Sequence, residues 1–188
     1  LSPIVDCGVH YLDVMCQITQ SKPLSVSAIG VRLSDEIPTD NYNYGQLQIR
    51  FEDGSVGWYE AGWGPMISET AFFVKDVIGP NGSVSIVSDD DTFKKDSDNL
   101  ENHTKNNCLK IHSSKLDSDH NFISPNKKIV YDEDPSHQDL CDYEQEYFYK
   151  AICEDIDLKS HMEDAYKSLQ IALACDEAVK KSKTVFLD

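Results

Sequence analysis

The chain has 188 residues, of which 40% are apolar and 10% aromatic, so it can build a hydrophobic core and a globular fold. Its 33 acidic residues against 17 Lys and Arg give a formal charge of −16, which argues against binding to nucleic acids or anionic membranes. No apolar run reaches the roughly 18 to 20 residues of a membrane helix, and the first residues lack the features of a secretory signal.

The six cysteines form no CxxC pair, and most lie inside apolar, periodic segments where cysteine behaves as a small hydrophobic residue. We therefore expect free thiols in a reducing compartment and assign the protein to the cytoplasm. Two Asn-x-Ser/Thr triplets, at Asn81 and Asn102, would suit a secreted glycoprotein instead, but such triplets are common by chance.

The first part of the chain is predicted to form a helix followed by antiparallel strands. Apolar residues recur with helical spacing from Ile4 to Thr19. The stretch YGQLQIRF then alternates apolar and polar residues, which places Leu47, Ile49 and Phe51 on one face of a strand. An Asp-Gly turn at 53–54 predicts a hairpin between this strand and 56–63.

The second part of the chain continues with strands and ends in helices. The polar stretch 88–107 has no periodicity, and we expect it to be an exposed, mobile insertion. A Ser160–Glu163 capping box is predicted to open the last helix, which would bury Ala165, Leu169, Ala172 and Leu173. The predicted elements are, in order, strands Ala71–Ile78, Ser83–Val87, Cys108–His112 and Lys127–Tyr131, helices Gln138–Glu154 and Ser160–Lys181, and strand Thr184–Leu187.

This order of elements predicts an α+β fold class: an open, predominantly antiparallel β-sheet with helices packed on one face. We interpret residues 1–188 as a single domain that carries the 88–107 insertion. A sheet covered on one side leaves a second face to bury, and another copy of the same chain is the usual cover. The sequence therefore predicts a homo-dimer or tetramer through the sheet face.

One cluster on the first helix has chemical content. Asp6, His10 and Asp13 are spaced by four and three residues, which puts them on a single stripe of the helix. A carboxylate beside an imidazole orients it and makes it more basic, as a proton acceptor near neutral pH requires. Gly8 lies within this stretch at a cost to helix stability, and its missing side chain would let another group approach the backbone closely.

Two other interpretations of the cluster remain open at this point. Such a stripe on an amphipathic helix is commonly a solvated face without function. Asp6 and His10, four residues apart, could also chelate a metal ion, although no further cluster of His and acidic residues supplies the remaining ligands.

The run DCGVHYLD resembles the D-x-G-x-H-x-x-D segment that opens the second domain of the Gfo/Idh/MocA dehydrogenases, the family of glucose-fructose oxidoreductase and inositol dehydrogenase. The FEDGSVGWYEAGWG strand pair is similar to that family's sheet, and EDAYKSLQIALACDEAVKKSKTVFL is similar to its closing helix and strand. The resemblance covers nearly the whole chain apart from the polar insertion.

The resemblance implies a protein about twice as long, in which an N-terminal Rossmann domain binds NAD or NADP and supplies a lysine from a Glu-Lys-Pro segment. This chain contains neither a G-x-G-x-x-G turn nor Glu-Lys-Pro. We therefore expect it to be the C-terminal substrate and oligomerisation domain, inactive by itself and without bound cofactor.

Site roles also follow from the resemblance. It implies that His10 is the general acid/base in the oxidation of a sugar or polyol hydroxyl and that Asp6 holds the imidazole or a neighbouring hydroxyl in register. Asp13 either binds substrate or completes a network behind His10. Four aromatic residues are candidates to line a sugar site, although core or interface roles are favoured for them: Tyr11, Trp58, Tyr59 and Trp63. The alternative function is a noncatalytic scaffold or partner domain that dimerises through its sheet.

Overall fold

The computed structural model describes residues 1–64, 75–87, 108–131 and 135–187. The chain divides into two compact units, one formed by Leu1–Ile67 with Ile156–Asp188 and the other by Ser68–Asp155. The elements in chain order are α1 (Pro3–Asp6), α2 (Gly8–Thr19), β1 (Pro23–Val31), β2 (Tyr44–Phe51), β3 (Val56–Gly62), β4 (Lys75–Gly79), β5 (Gly82–Ile86), β6 (Cys108–Ser113), β7 (Lys127–Val130), α3 (His137–Glu154), α4 (Lys159–Lys181) and β8 (Val185–Phe186).

The first unit contains an antiparallel sheet in the order β3-β2-β1-β8. The predicted alternation of β2 is confirmed, because Leu47, Ile49 and Phe51 are buried and face the helices. The predicted Asp53-Gly54 hairpin is confirmed as well. Gly54 has a φ of 87°, and its amide donates to Phe51 O over 3.1 Å.

Helices α1, α2 and α4 cover one face of this sheet, where they contact β2, β3 and β1 respectively. Close approach is possible because small residues line the contact. A β-carbon on Gly30 of β1 would lie 2.7 Å from Val179 Cγ1 of α4. The core between these helices and the sheet contains Ile4, Leu12, Cys16, Val26, Tyr42, Leu47, Ile49, Phe51, Ile171, Ala172, Ala174 and Cys175.

The predicted face of α4 is wrong. Ala172 is buried, but Ala165 and Leu169 are exposed, and Leu173 is 52% exposed. The helix turns Ser168, Ile171, Cys175 and Ala178 toward the core instead. Three of these four side chains are small because the helix lies close to β1, whereas the prediction favoured two leucines.

The predicted capping box of α4 is also wrong, although the helix begins within one residue of the predicted start. Leu158 is the N-cap and makes no side-chain capping hydrogen bond. Glu163 pairs with Lys159 over 3.7 Å, one turn earlier on the same helix. The structure places a capping box at Ser136 and Asp139, where α3 begins.

The second unit contains an antiparallel sheet in the order β4-β5-β6-β7, together with α3. Its described strands match the predicted ones within a few residues at their ends. The 88–107 insertion and residues 71–74 of a predicted strand lie outside the described residues. The α+β class with antiparallel strands is confirmed, but the described strands form two sheets of four, not one. Hairpin signals are local and do not show whether pairing continues across a long connection.

All six cysteines are free thiols. Within the described ranges, no helix combines the length and the apolar character needed to cross a bilayer.

Candidate functional site

The predicted single helix from Ile4 to Thr19 is interrupted at Cys7. Asp6 is the last residue of α1, and His10 lies in the first turn of α2. Cys7 keeps right-handed helical angles, φ −92° and ψ −35°, and its amide donates to Pro3 O over 3.1 Å. The helical succession therefore continues through the break, and Asp6 and His10 remain on one side of it. Both side chains are exposed to solvent.

The short helix α1 is fixed to the rest of the unit by a buried side chain and by hydrogen bonds. Ile4 is fully buried, and Ser2 caps the helix by accepting a hydrogen bond from the Val5 amide over 3.3 Å. The Tyr42 hydroxyl lies 2.8 Å from Ser2 Oγ and 2.8 Å from Asp176 Oδ1, and it donates to the carboxylate. This network links the helix that carries Asp6 to the loop before β2 and to α4.

The pKa values of Tyr42 and Asp176 in this network are shifted by their surroundings. Burial raises the pKa of Tyr42, which keeps its hydroxyl protonated as a donor. Burial also pushes the pKa of Asp176 upward, but hydrogen bonds from Lys180 and Tyr42 outweigh it and hold the pKa below its ordinary value. Lys180 Nζ lies 2.6 Å from Asp176 Oδ2. This cluster was not predicted from the sequence, because Tyr42 is 40 residues from Ser2 and 134 residues from Asp176.

Gly8 allows an aromatic ring to lie directly against the helix, as predicted. A β-carbon at this position would be 3.1 Å from Tyr59 Cε1. The Tyr59 ring also stacks on Tyr11, with centroids 4.9 Å apart and planes inclined by 25°. Burial raises the pKa of both tyrosines. The pair therefore forms a neutral aromatic support beneath the turn that carries His10.

Asp13 faces α4. Its Oδ1 lies 2.9 Å from Ser168 Oγ, which is buried and also lies 2.9 Å from Asp164 O. This contact favours the second of the two predicted roles, a network behind His10. The structure thus brings Asp6 and His10 to the surface and ties Asp13 to a neighbouring helix.

The Cys7 thiol lies next to Asp6, and its pKa is shifted by its surroundings. Burial raises the pKa of the Cys7 thiol, while a hydrogen bond from the Trp63 side chain lowers it and the nearby Asp6 charge raises it. Cys7 Sγ also lies 3.8 Å from Asp6 Oδ2, a weak hydrogen bond.

The buried Asn43 holds the backbone of Trp63 in place. The Trp63 amide donates to Asn43 O over 2.7 Å, and Asn43 Nδ2 donates to Trp63 O over 2.9 Å. Asn43 Oδ1 accepts from the Leu33 amide over 2.7 Å. Asn43 was not predicted from the sequence, since a polar residue between two strands has no periodic signal to distinguish it.

Among the described residues, no group of three or more His, Cys, Asp or Glu side chains has the arrangement of a metal site. The first unit has two shallow cavities. The one of about 210 Å³ is lined by residues that include Lys167 and Ile171, and the one of about 340 Å³ by residues that include Gly30 and Ser182. Neither is lined by Asp6 or His10.

Comparison with known proteins identifies the family to which the sequence is similar. The sequence matches the Gfo/Idh/MocA oxidoreductase family, C-terminal alpha/beta domain, over residues 3–187. No curated protein matches it significantly in sequence. Structural similarity is nevertheless extensive, because 112 solved chains match the fold.

Three of these solved structures illustrate the similarity. A levoglucosan dehydrogenase in complex with NADH and levoglucosan shares 17% identity at a TM-score of 0.68, over 97% of this chain and 49% of that one. An aldose-aldose oxidoreductase from Caulobacter crescentus, complexed with glycerol, shares 16% at 0.65, over 96% and 46%. A UDP-N-acetylglucosamine 3-dehydrogenase from Acidithiobacillus ferrooxidans shares 17% at 0.59, over 92% and 45%.

At these identities the structural likeness establishes the fold, and the chain spans about half the length of the structures it matches. The family match extends over nearly every residue and agrees with the resemblance seen in DCGVHYLD. The chain therefore belongs to the Gfo/Idh/MocA oxidoreductase family and is its C-terminal α/β domain.

Proposed function

We propose that this chain is the catalytic and oligomerisation domain of an NAD- or NADP-dependent oxidoreductase that oxidises a hydroxyl of a sugar or polyol, with His10 as general acid/base. The observation that carries the proposal is the exposure of Asp6 and His10 on one side of a helix whose underside is fixed by Ser2 and Tyr59. A rigid support beneath exposed ionisable groups suits proton transfer to a bound substrate.

The proposed chemistry divides one oxidation between two acceptors. His10 takes the proton of the substrate hydroxyl while the same carbon loses its hydrogen as hydride, and a carbonyl forms. Asp6 orients the imidazole or a neighbouring hydroxyl. A nicotinamide bound elsewhere in the protein would supply the hydride acceptor. In the reverse direction His10 returns the proton to the carbonyl oxygen.

The described residues do not fit the binding of a dinucleotide. The chain has no G-x-G-x-x-G turn after a strand, which is the usual cradle for a pyrophosphate. We therefore assign it no cofactor-binding residue and propose that a Rossmann domain elsewhere in the protein holds NAD or NADP. On this view the isolated chain does not turn over substrate.

Two solved structures support the proposed substrate and cofactor classes. One is a levoglucosan dehydrogenase with bound NADH, and another is an aldose-aldose oxidoreductase. The free thiols support our expectation of a reducing compartment, the cytoplasm.

We also propose that the chain self-associates as a dimer or tetramer through the face of the β3-β2-β1-β8 sheet opposite the helices. Cross-strand register places Trp58 opposite Gln48 and Ile29 opposite Gln46 on this face. Trp58 is 56% exposed and Phe186 78% exposed. Exposed apolar side chains that share one face of a sheet are typical of a protein interface. The same observation supports the second candidate function, a noncatalytic dimerising scaffold.

The test of the catalytic role is replacement of His10 in the full-length protein. His10→Ala should lower turnover by about 10² to 10⁴-fold, the usual contribution of a general acid/base. Nicotinamide affinity, measured by fluorescence titration, should change little. The matched control is His161→Ala, since His161 is an exposed histidine on α4. A His10→Ala enzyme within a few-fold of the parent would refute the role.

The two candidate functions differ in one further result. The scaffold interpretation predicts no nicotinamide reduction with any sugar or polyol by the parent protein, while self-association persists. The oxidoreductase interpretation predicts reduction of NAD or NADP by at least one member of a sugar and polyol panel.

A further inference from the structure

His137 and Cys141 bring a nitrogen and a sulfur atom together at the start of α3. Cys141 Sγ lies 3.7 Å from His137 Nε2, and both residues are partly exposed to solvent. They are four residues apart, so the helix places them one turn from each other on the same side. Both belong to the second unit, whereas Asp6 and His10 belong to the first.

The start of α3 that carries this pair is fixed by local hydrogen bonds. The Asp139 amide donates to Ser136 Oγ over 3.1 Å, and the Ser136 amide donates to Asp139 Oδ2 over 2.9 Å. Gln138 Nε2 donates to Asp142 Oδ1 over 2.7 Å. These bonds hold the first two turns in helical conformation, so the spacing of the nitrogen and sulfur atoms is set by the helix.

The separation of these two atoms matches the spacing of two ligands on one tetrahedral metal ion. Zinc binds thiolate sulfur at about 2.3 Å and imidazole nitrogen at about 2.0–2.1 Å. At a tetrahedral angle these bond lengths place sulfur and nitrogen about 3.6 Å apart. The 3.7 Å between Cys141 Sγ and His137 Nε2 therefore needs little change to accept a zinc ion.

The charges along this part of the sequence favour a cation. Residues 132–149 include seven acidic residues and no Lys or Arg. Glu144, three residues after Cys141, is exposed on the same side of α3. A thiolate and an imidazole suit zinc, whereas calcium and magnesium prefer oxygen ligands. The pair is thus better suited to a borderline-soft divalent cation than to an anion.

We infer that His137 and Cys141 are two ligands of a zinc site on α3. Cys141 binds as the thiolate, and its proton passes to solvent as the metal binds. The Glu144 carboxylate or water completes the coordination. Ala151 is the buried residue of α3, so this helix depends on local bonds, and a metal that joins its first two turns stabilises it. The site does not depend on the proposed oxidoreductase function.

The test measures protection of individual thiols in the full-length protein, with Zn²⁺ as the probe. Alkylation by iodoacetamide is followed peptide by peptide in a mass spectrometer, with and without Zn²⁺. Alkylation of Cys141 should slow about tenfold when free Zn²⁺ is about ten times the Kd, since only the unbound thiol reacts. Cys153, an exposed free thiol on the same helix, is the internal control and should react at an unchanged rate. This comparison needs no substitution, so it holds even if a variant fails to fold.

Variants and a coloured metal identify the ligands. Co²⁺ in place of Zn²⁺ should add the near-ultraviolet absorption of a thiolate–cobalt bond, which Cys141→Ser should remove and Cys153→Ser should keep. His137→Ala should weaken metal binding at least about tenfold, because loss of even an outer-shell partner costs that much. His161→Ala, which replaces an exposed histidine of α4, is the matched control and should leave the affinity unchanged.

Protection by Zn²⁺ that is confined to Cys141 and lost in His137→Ala would support the site. Alkylation of Cys141 that Zn²⁺ leaves unchanged would overturn it and reduce the contact with His137 to a hydrogen bond. Equal protection of Cys153, or protection of Cys141 that survives His137→Ala, would also overturn it.

Discussion

We predict that Asp13 is a structural residue held by Ser168 and does not bind substrate. Ser168 Oγ lies 2.9 Å from Asp13 Oδ1 and is buried in α4. A hydrogen bond to a charged group contributes about 1.5–3 kcal/mol. This one is shared, because Ser168 Oγ also lies 2.9 Å from Asp164 O, and Asp13 is only half-buried. We therefore expect a coupling free energy of about 1 kcal/mol between the two side chains.

The assay is a double-mutant cycle in the free energy of unfolding, measured by urea denaturation of Asp13→Ala, Ser168→Ala and the double variant. Each kcal/mol of unfolding free energy that a single variant loses should correspond to a fall in Tm of about 2–4 °C. The two losses should be non-additive by the coupling energy. Kinetic constants of the full-length protein are measured on the same variants.

A structural Asp13 predicts that Asp13→Ala and Ser168→Ala change KM and kcat alike and by only a few-fold. Additive stability losses would show that the contact contributes nothing. A large rise in KM for Asp13→Ala that Ser168→Ala does not share would assign Asp13 to substrate binding and refute the structural role.

Three further predictions follow from the same unit. Gly8→Val should displace the Tyr59 ring, whose Cε1 would lie 3.1 Å from the new β-carbon, and cost about 1–3 kcal/mol of unfolding free energy; an unchanged urea midpoint would contradict this. Folding lowers the pKa of Asp176, so the ionised carboxylate stabilises the folded protein at pH values above its ordinary pKa of about 3.9, and this stabilisation is lost as the pH falls through the pKa of the folded state. Asp176→Asn should therefore lower the unfolding free energy at pH 7 and flatten its fall at acid pH. An unchanged fall at acid pH would count against the network. Ile29→Lys should convert the predicted oligomer to monomers in analytical ultracentrifugation with the helical circular dichroism retained, and an unchanged sedimentation coefficient would exclude the open sheet face as the interface.

Local patterns in the sequence were sufficient for the strands. The alternation of residues 44–51 and the Asp-Gly turn each depend on neighbouring residues, and both are confirmed in β2 and β3. The face of α4 was predicted wrongly because its orientation depends on how closely Val179 approaches Gly30, a contact about 150 residues apart in sequence. Periodicity identifies an apolar stripe, but it does not show which of two adjacent stripes faces a tightly packed sheet.

Only part of the candidate site could be predicted from the sequence. Asp6, His10 and Gly8 lie within one stretch of helix, so their spacing was visible in the sequence. The contacts around them were not, because Tyr42, Asn43 and Ser168 act through hydrogen bonds to residues far away in the sequence. Polar residues that make one long-range contact leave no periodic or compositional signal.

The central claim is that His10 transfers a proton in the oxidation of a substrate hydroxyl. Its most direct test is the rate of hydride transfer to the nicotinamide by full-length His10→Ala, followed in single turnovers with saturating cofactor and substrate, with and without added imidazole. We predict a rate at least 100-fold below the parent that rises with the concentration of neutral imidazole, since the exposed position of His10 leaves a free base access to the site. A rate within a few-fold of the parent in the absence of imidazole would contradict the claim.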